Sequence, residues 1–224
     1  MKMKKNENIE VETEIEKMTV IEKYKCLIED VIDLDTRTIY LFGELNENLG
    51  TILHVKYAAI KLYWEQELRK PFSDINLNIS SGGGSLYSTY AALDFYDLLK
   101  KRDNVLVNTE SQGICMSAAT ILAAGGTGVR RASKRCKFML HDIQIEGGGA
   151  STATQFKSAA KSLEEDQFEF FKMYVQIANK DKEMSDKELK KETAKWIKNF
   201  ASSSIEHYLT SEKIKELNLI DEIY

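Results

Sequence analysis

The sequence predicts an α/β domain assembled from βαβ units. Three observations carry this expectation. Short segments that are β-rich or alternate apolar with polar recur along the chain, segments of helical period separate them, and no repeat, low-complexity block or linker interrupts the series. The 224 residues are enough for one sizeable core, and 43% hydrophobic with 29% charged residues is the usual balance of a globular protein. The 31 basic and 35 acidic residues leave a formal charge of −4 without a basic stripe, which argues against nucleic acid as a primary partner. No apolar run approaches the roughly 18 residues that a membrane-spanning helix needs. Lys2, Lys4 and Lys5 are followed by Glu7, Glu10, Glu12, Glu14 and Glu16 rather than by the apolar stretch of a signal peptide. The expectation is a cytoplasmic protein with no membrane segment. Cys26, Cys115 and Cys136 are an odd count without metal-site spacing, which reads as reduced, buried thiols.

Residues 1–30 are charged and loosely periodic, and read as an N-terminal arm preceding a single domain over residues 31–224. Thr38-Ile39-Tyr40-Leu41-Phe42-Gly43 is β-rich and closes on glycine, a strand entering a turn. Residues 49–68 carry apolar side chains at helical spacing (Leu49, Ile52, Leu53, Ala59, Ile60, Tyr63, Trp64), and Pro71 follows where that helix has stopped. Ile75-Asn76-Leu77-Asn78-Ile79 alternates like a half-buried strand and runs into Ser80-Ser81-Gly82-Gly83-Gly84-Ser85. A helix over about 86–101 and a strand at Val105-Leu106-Val107 come next. Residues 113–124 are small and apolar without a charge, which predicts a buried turn and helix. Lys137-Phe138-Met139-Leu140-His141 reads as a strand leading to Gly147-Gly148-Gly149, and a long helix spans about 152–178. The remainder reads as charged helix ending in a short strand at 219–223.

The triple glycine lies where backbone N–H groups can approach a negative charge, with a helix N-terminus behind it. A phosphate cradle lacks the P-loop lysine here, an oxyanion hole for acyl transfer is a second reading, and a plain strand-to-helix turn is a third. Ser117 sits in the most apolar stretch of the chain, where a lone serine is usually a helix-packing residue. His141 ends a strand, with only His54 and His207 to compete for general-base duty. Taken together in order, these are the parts of a nucleophile, a base and an oxyanion hole.

In that order they resemble the proteolytic subunit of the Clp protease, from about Arg37 to the C-terminus. Arg37 to Glu44 is similar to that family's opening strand. Ile79-Ser80-Ser81-Gly82-Gly83-Gly84-Ser85 resembles its Asn-Ser-Pro-Gly-Gly segment, with Gly82 where the proline stands. Residues 113–126 align without a gap to the nucleophile segment and put Ser117 on the nucleophile. An alignment slipped by two, which would select Cys115, requires compensating gaps. Residues 137–141 resemble the strand ending in the catalytic histidine, with Asp142-Ile143 in place of Gln-Pro. Tyr208-Leu209-Thr210-Ser211 through Leu219-Ile220-Asp221 resembles the closing Phe-Leu-Ser…Gly-Leu-Val-Asp signature. The small residues around Ser117 are similar to those of phage-encoded Clp-like proteases.

The resemblance implies a ClpP/crotonase-like spiral of stacked βαβ units with a protruding handle helix near residues 152–178. It implies Ser117 as nucleophile, His141 as general base, and backbone N–H groups of Gly84 and Ala118 as the oxyanion hole. Glu206 falls on the third triad position, where the family usually has aspartate; Asp142 is a runner-up without family support. It further implies heptameric rings stacked in pairs (a tetradecamer), unfolded polypeptide substrates, a hexameric AAA+ ATPase of the Clp type, and neither cofactor nor metal. Phe156, Phe168, Phe170, Phe171, Met173 and Tyr174 exceed what one amphipathic stripe buries within a subunit, an expectation that also favours oligomers. Two alternatives stay open: an inactive ring subunit, on the three departures at Gly82, Asp142-Ile143 and Glu206, and an acyl-CoA enzyme of the crotonase fold.

Overall fold

Ile75, Leu77 and Ile79 are each 0% exposed, while Asn76 and Asn78 between them are half-buried. That alternation makes residues 75–79 a strand with one face on the core. In the computed structural model, residues 31–144, 152–201 and 205–224 are described. The N-terminal arm at 1–30 and the Gly147-Gly148-Gly149 stretch lie outside them.

Among the described residues the strands are β1 (Ile32–Asp33), β2 (Thr38–Leu45), β3 (Ile75–Gly84), β4 (Val107–Met116), β5 (Arg130–Ala132), β6 (Lys137–Leu140), β7 (His207–Thr210) and β8 (Glu222–Ile223). The helices are α1 (Leu49–Leu62), α2 (Leu86–Leu98), α3 (Ala118–Ala124), α4 (Ala153–Ala178), α5 (Asp186–Phe200) and α6 (Ser211–Glu216). π-helical turns at Tyr63–Glu67 and Leu99–Asp103 extend α1 and α2. The sheet runs β1-β2-β3-β4-β5-β8, with β6 on β4 and β7 on β6. β2, β3, β4, β5 and β8 are parallel in sequence, as βαβ units require.

β4 is where the sheet forks. Its first half pairs with β5 (Thr109↔Arg130) and its second half with β6 (Met116↔Met139). The register against β3 shifts between Ile79↔Ser111 and Ser81↔Cys115, so Gln112 and Gly113 bulge, and Gly113 takes φ +63°. The bulge bends β4 off the first sheet and aims its end at β6.

Several local expectations change. The triple glycine is the last stretch of β3 rather than a turn, and Ser85 caps α2 by accepting from the Ser88 N–H. Residues 113–116 are strand, because β4 carries small polar residues that hide its period. β5 and β7 are also strands, each too short to leave a pattern. Most of the aromatic surplus of α4 is internal: Phe170, Phe171 and Tyr174 are buried, Tyr174 stacks on Trp196 of α5 with centroids 6.0 Å apart, and only Phe156 of the six residues is exposed, at 60%. α5 therefore supplies the partner face inside the subunit. Among the described residues no helix is long and apolar enough to cross a membrane.

Candidate active site

Adjacent parallel strands end side by side, and the residue after each is one of the two expected site residues. Met116 closes β4 opposite Met139 of β6, so Ser117 and His141 leave neighbouring strand ends. Ligand sites of α/β sheets characteristically lie at such carboxyl ends. Ser117 has φ +51° and ψ −128°, a strained conformation for a residue with a side chain, and α3 begins at the next residue. This is the strand–turn–helix geometry that exposes a nucleophile. The turn is held by main-chain atoms: the Ser117 N–H donates to the Met139 carbonyl at 2.8 Å and the Ser117 carbonyl accepts from the Thr120 N–H at 2.9 Å. The Tyr174 hydroxyl adds a bond to the same carbonyl at 3.4 Å. With the backbone so fixed, Ser117 Oγ lies 2.7 Å from His141 Nε2.

The other imidazole nitrogen is unusual. His141 Nδ1 is buried without a hydrogen-bond partner among the described residues, although buried polar atoms are rarely left so. The antiparallel register ends with Leu140 paired to His207, and His141 and Glu206 are the next residues beyond that pair on the two strands. The Glu206 side chain does not close that distance. It is exposed, and its Oε2 accepts a short hydrogen bond from the Tyr208 hydroxyl. The structure thus joins Ser117 to His141 and leaves Glu206 one residue beyond the β6–β7 ladder, bonded to Tyr208 instead. Asp142 follows His141 and lines the same cleft.

Gly84 and Ala118 also line the cleft beside Ser117 and His141. Ala118 is the first residue of α3, so its N–H has no partner within the helix. Gly83 and Gly84 have φ +105° and +147°. A Cβ on Gly83 would meet Ser117 Cβ and the Met116 carbonyl at 2.8 Å, and one on Gly84 would meet the Leu45 carbonyl at 2.4 Å. Only glycine fits where β3 packs on the serine turn at Gly83 and on β2 at Gly84. The triple glycine signals the need for close packing, but the sequence does not distinguish which of the three abuts Ser117.

The neighbouring thiol is no competitor. Cys115 is 0% exposed and its Sγ donates to the Ala119 carbonyl at 3.2 Å, inside the core. Burial, with the Cys136 thiol beside it, raises its pKa far above the range in which a thiolate forms. Burial likewise pushes Cys136 up to about 12.

The Ser117–His141 pair opens into a cleft of about 910 Å³ between the β2–α1 segment, the start of α2 and the wall of α4. Sequence reasoning missed this α4 wall, since Leu163, Asp166 and Phe170 approach the serine only through tertiary packing. A sequence model of the family described as Clp protease matches residues 28–224.

Proposed function

The chain belongs to the Clp protease family, whose mixed α/β fold it shares, and from that premise we propose that it is a serine endopeptidase subunit acting on unfolded polypeptides. The observation that carries this reading is the 2.7 Å approach of Ser117 Oγ to His141 Nε2 at paired strand ends. Ser117 Oγ attacks the scissile carbonyl carbon as its proton passes to His141 Nε2. The oxyanion is received by the N–H groups of Gly84 and Ala118. Collapse of the tetrahedral intermediate breaks the C–N bond, the imidazolium returns the proton to the leaving amine, and an acyl ester remains on Ser117. Water, deprotonated by the same imidazole, then releases the acid and restores the serine. Family membership supports the rest: rings of seven stacked in pairs, a chamber fed by a Clp-type AAA+ ATPase, and a cytoplasmic setting.

Glu206 is the third member in this proposal. A rotation of its exposed carboxylate away from Tyr208 would give the orphan His141 Nδ1 an acceptor and stabilise the imidazolium. Replacing Glu206 with glutamine is then expected to lower kcat on a short fluorogenic peptide by roughly 10²- to 10⁴-fold, while KM changes little. An unchanged kcat removes Glu206 from the mechanism and leaves a dyad. One observation favours a second reading, an inactive ring subunit: the His141 Nδ1 atom lacks a partner among the described residues while the candidate acid is bonded to Tyr208. Wild-type protein that assembles but hydrolyses no peptide selects that reading.

A further inference from the structure

The walls of the cleft carry one sign of charge. Glu44, Glu47, Asp142 and Asp166 line it, and no lysine or arginine does so among the described residues. Over the whole chain 35 acids face 31 bases, so four against none is a local concentration rather than a reflection of composition. Glu44, Glu47 and Asp166 form no ion pair with a described residue. Asp166 is half-buried on α4, and its Oδ2 accepts a hydrogen bond from the Tyr87 hydroxyl of α2 at 3.1 Å. That contact fixes a carboxylate on the cleft wall at the boundary of two helices. Between the acids the surface mixes the apolar side chains of Leu86, Met139, Leu163 and Phe170 with the polar Asn46, Ser85 and Ser162.

We infer that this cleft selects polypeptide segments with lysine or arginine beside the scissile bond, and that Asp166 is a specificity-determining residue. The inference rests on the serine peptidase reading of the same cleft. Lysine and arginine match both features of the surface, because their methylene stems cover apolar area while their charged ends reach a polar rim. A concave site lined by one sign of charge focuses its field and raises the local concentration of the opposite ion. A leucine side chain gains only from the apolar part, and a glutamate is repelled.

The test compares fluorogenic peptides identical except for lysine, norleucine or glutamate before the scissile bond. Norleucine matches the lysine stem without the charge. At low ionic strength, kcat/KM for lysine is expected to exceed norleucine about tenfold and glutamate about a hundredfold. The lysine advantage shrinks toward 0.15 M salt, where the screening length falls to about 8 Å. Asp166→Asn is expected to reduce the lysine-to-norleucine ratio at least threefold. Equal or reversed preference, a ratio indifferent to salt, or a ratio unmoved by Asp166→Asn overturns the inference. The same labelled peptides are bound to the Ser117→Ala protein and followed by fluorescence anisotropy. That readout needs no turnover, so tighter binding of lysine there sustains the inference even if the peptidase reading fails, and equal binding sinks it.

Discussion

Ser117→Ala is expected to lower kcat for peptide hydrolysis by roughly 10⁴- to 10⁶-fold, the scale of removing the nucleophile from a serine triad. The fold should be indifferent to the change. The turn at Ser117 is held through its N–H, bonded to Met139, and its carbonyl, bonded to Thr120 and Tyr174, and alanine keeps both. Alanine also meets the same penalty as serine at φ +51°, since both carry a Cβ. The Oγ contact with His141 is the part that is lost. Kinetics on a fluorogenic peptide, beside a circular dichroism spectrum and melting curve, separate the two effects. Cys115→Ala, in contrast, removes a buried side chain and its bond to the Ala119 carbonyl without touching Ser117 Oγ or His141. Hydrolysis retained by Ser117→Ala and lost in Cys115→Ala would put the nucleophile two residues earlier.

The largest stability effect is expected at the staple between β5 and β8. The Arg130 side chain is 2% exposed. Its guanidinium grips Asp221 through Nε at 3.0 Å and Nη2 at 2.5 Å, while Nη1 donates to the Ala124 carbonyl at the end of α3 at 3.2 Å. The backbone closes the same link, with Asp221 N–H donating to the Arg130 carbonyl at 2.8 Å. Asp221→Ala leaves a buried cation without its counter-charge, which costs about 3 kcal/mol, the lower end of the range because the carboxylate is partly solvated. For a chain of this size that lowers Tm by about 6–12 °C. The Lys180 contact to Asp221 at 3.5 Å is exposed and adds little.

The same carboxylate sets a pH signature. Burial raises the Asp221 pKa, but the hydrogen bonds and charge of Arg130 outweigh it and bring the net value down to about 2. A depressed pKa means that the folded state binds the proton more weakly than the unfolded chain, so the contribution is full above about pH 4 and fades as pH falls toward 2. The difference in stability between wild type and Asp221→Ala should narrow across that window. Equal melting temperatures at pH 7, or a gap that stays constant from pH 7 to pH 3, contradict this account.

How much of this could be read from the sequence depends on how local the cause is. The alternation of Ile75, Leu77 and Ile79 is a property of the chain itself, and β3 was legible from it. The same holds for α4, capped by Thr152 with Gln155 reciprocating three residues later. β4 was legible only at its start. Its inward positions Thr109 and Ser111 are buried polar residues, which carry no apolar period, and beyond the bulge at Gly113 its end pairs with β6. β7 has four residues and is a strand through pairing with β6. The serine and the histidine were visible through family resemblance, but their meeting depends on the register of two strands. The third acid shows the limit: the register of β6 and β7 points to Glu206, while the direction of its carboxylate is set by a contact with Tyr208 that no spacing encodes. The acidic wall of the cleft was hidden for the same reason, since Glu44 and Asp166 are far apart in the chain.

The claim at the centre of this account is that Ser117 is a nucleophile activated by His141, and labelling with a fluorophosphonate followed by peptide mapping tests it most directly. The reagent phosphonylates a serine only where a base makes it nucleophilic. The account predicts a single adduct, on the peptide that contains Ser117, and its loss in the His141→Ala protein. No adduct, an adduct on a different residue, or labelling of Ser117 that persists without His141 would contradict it.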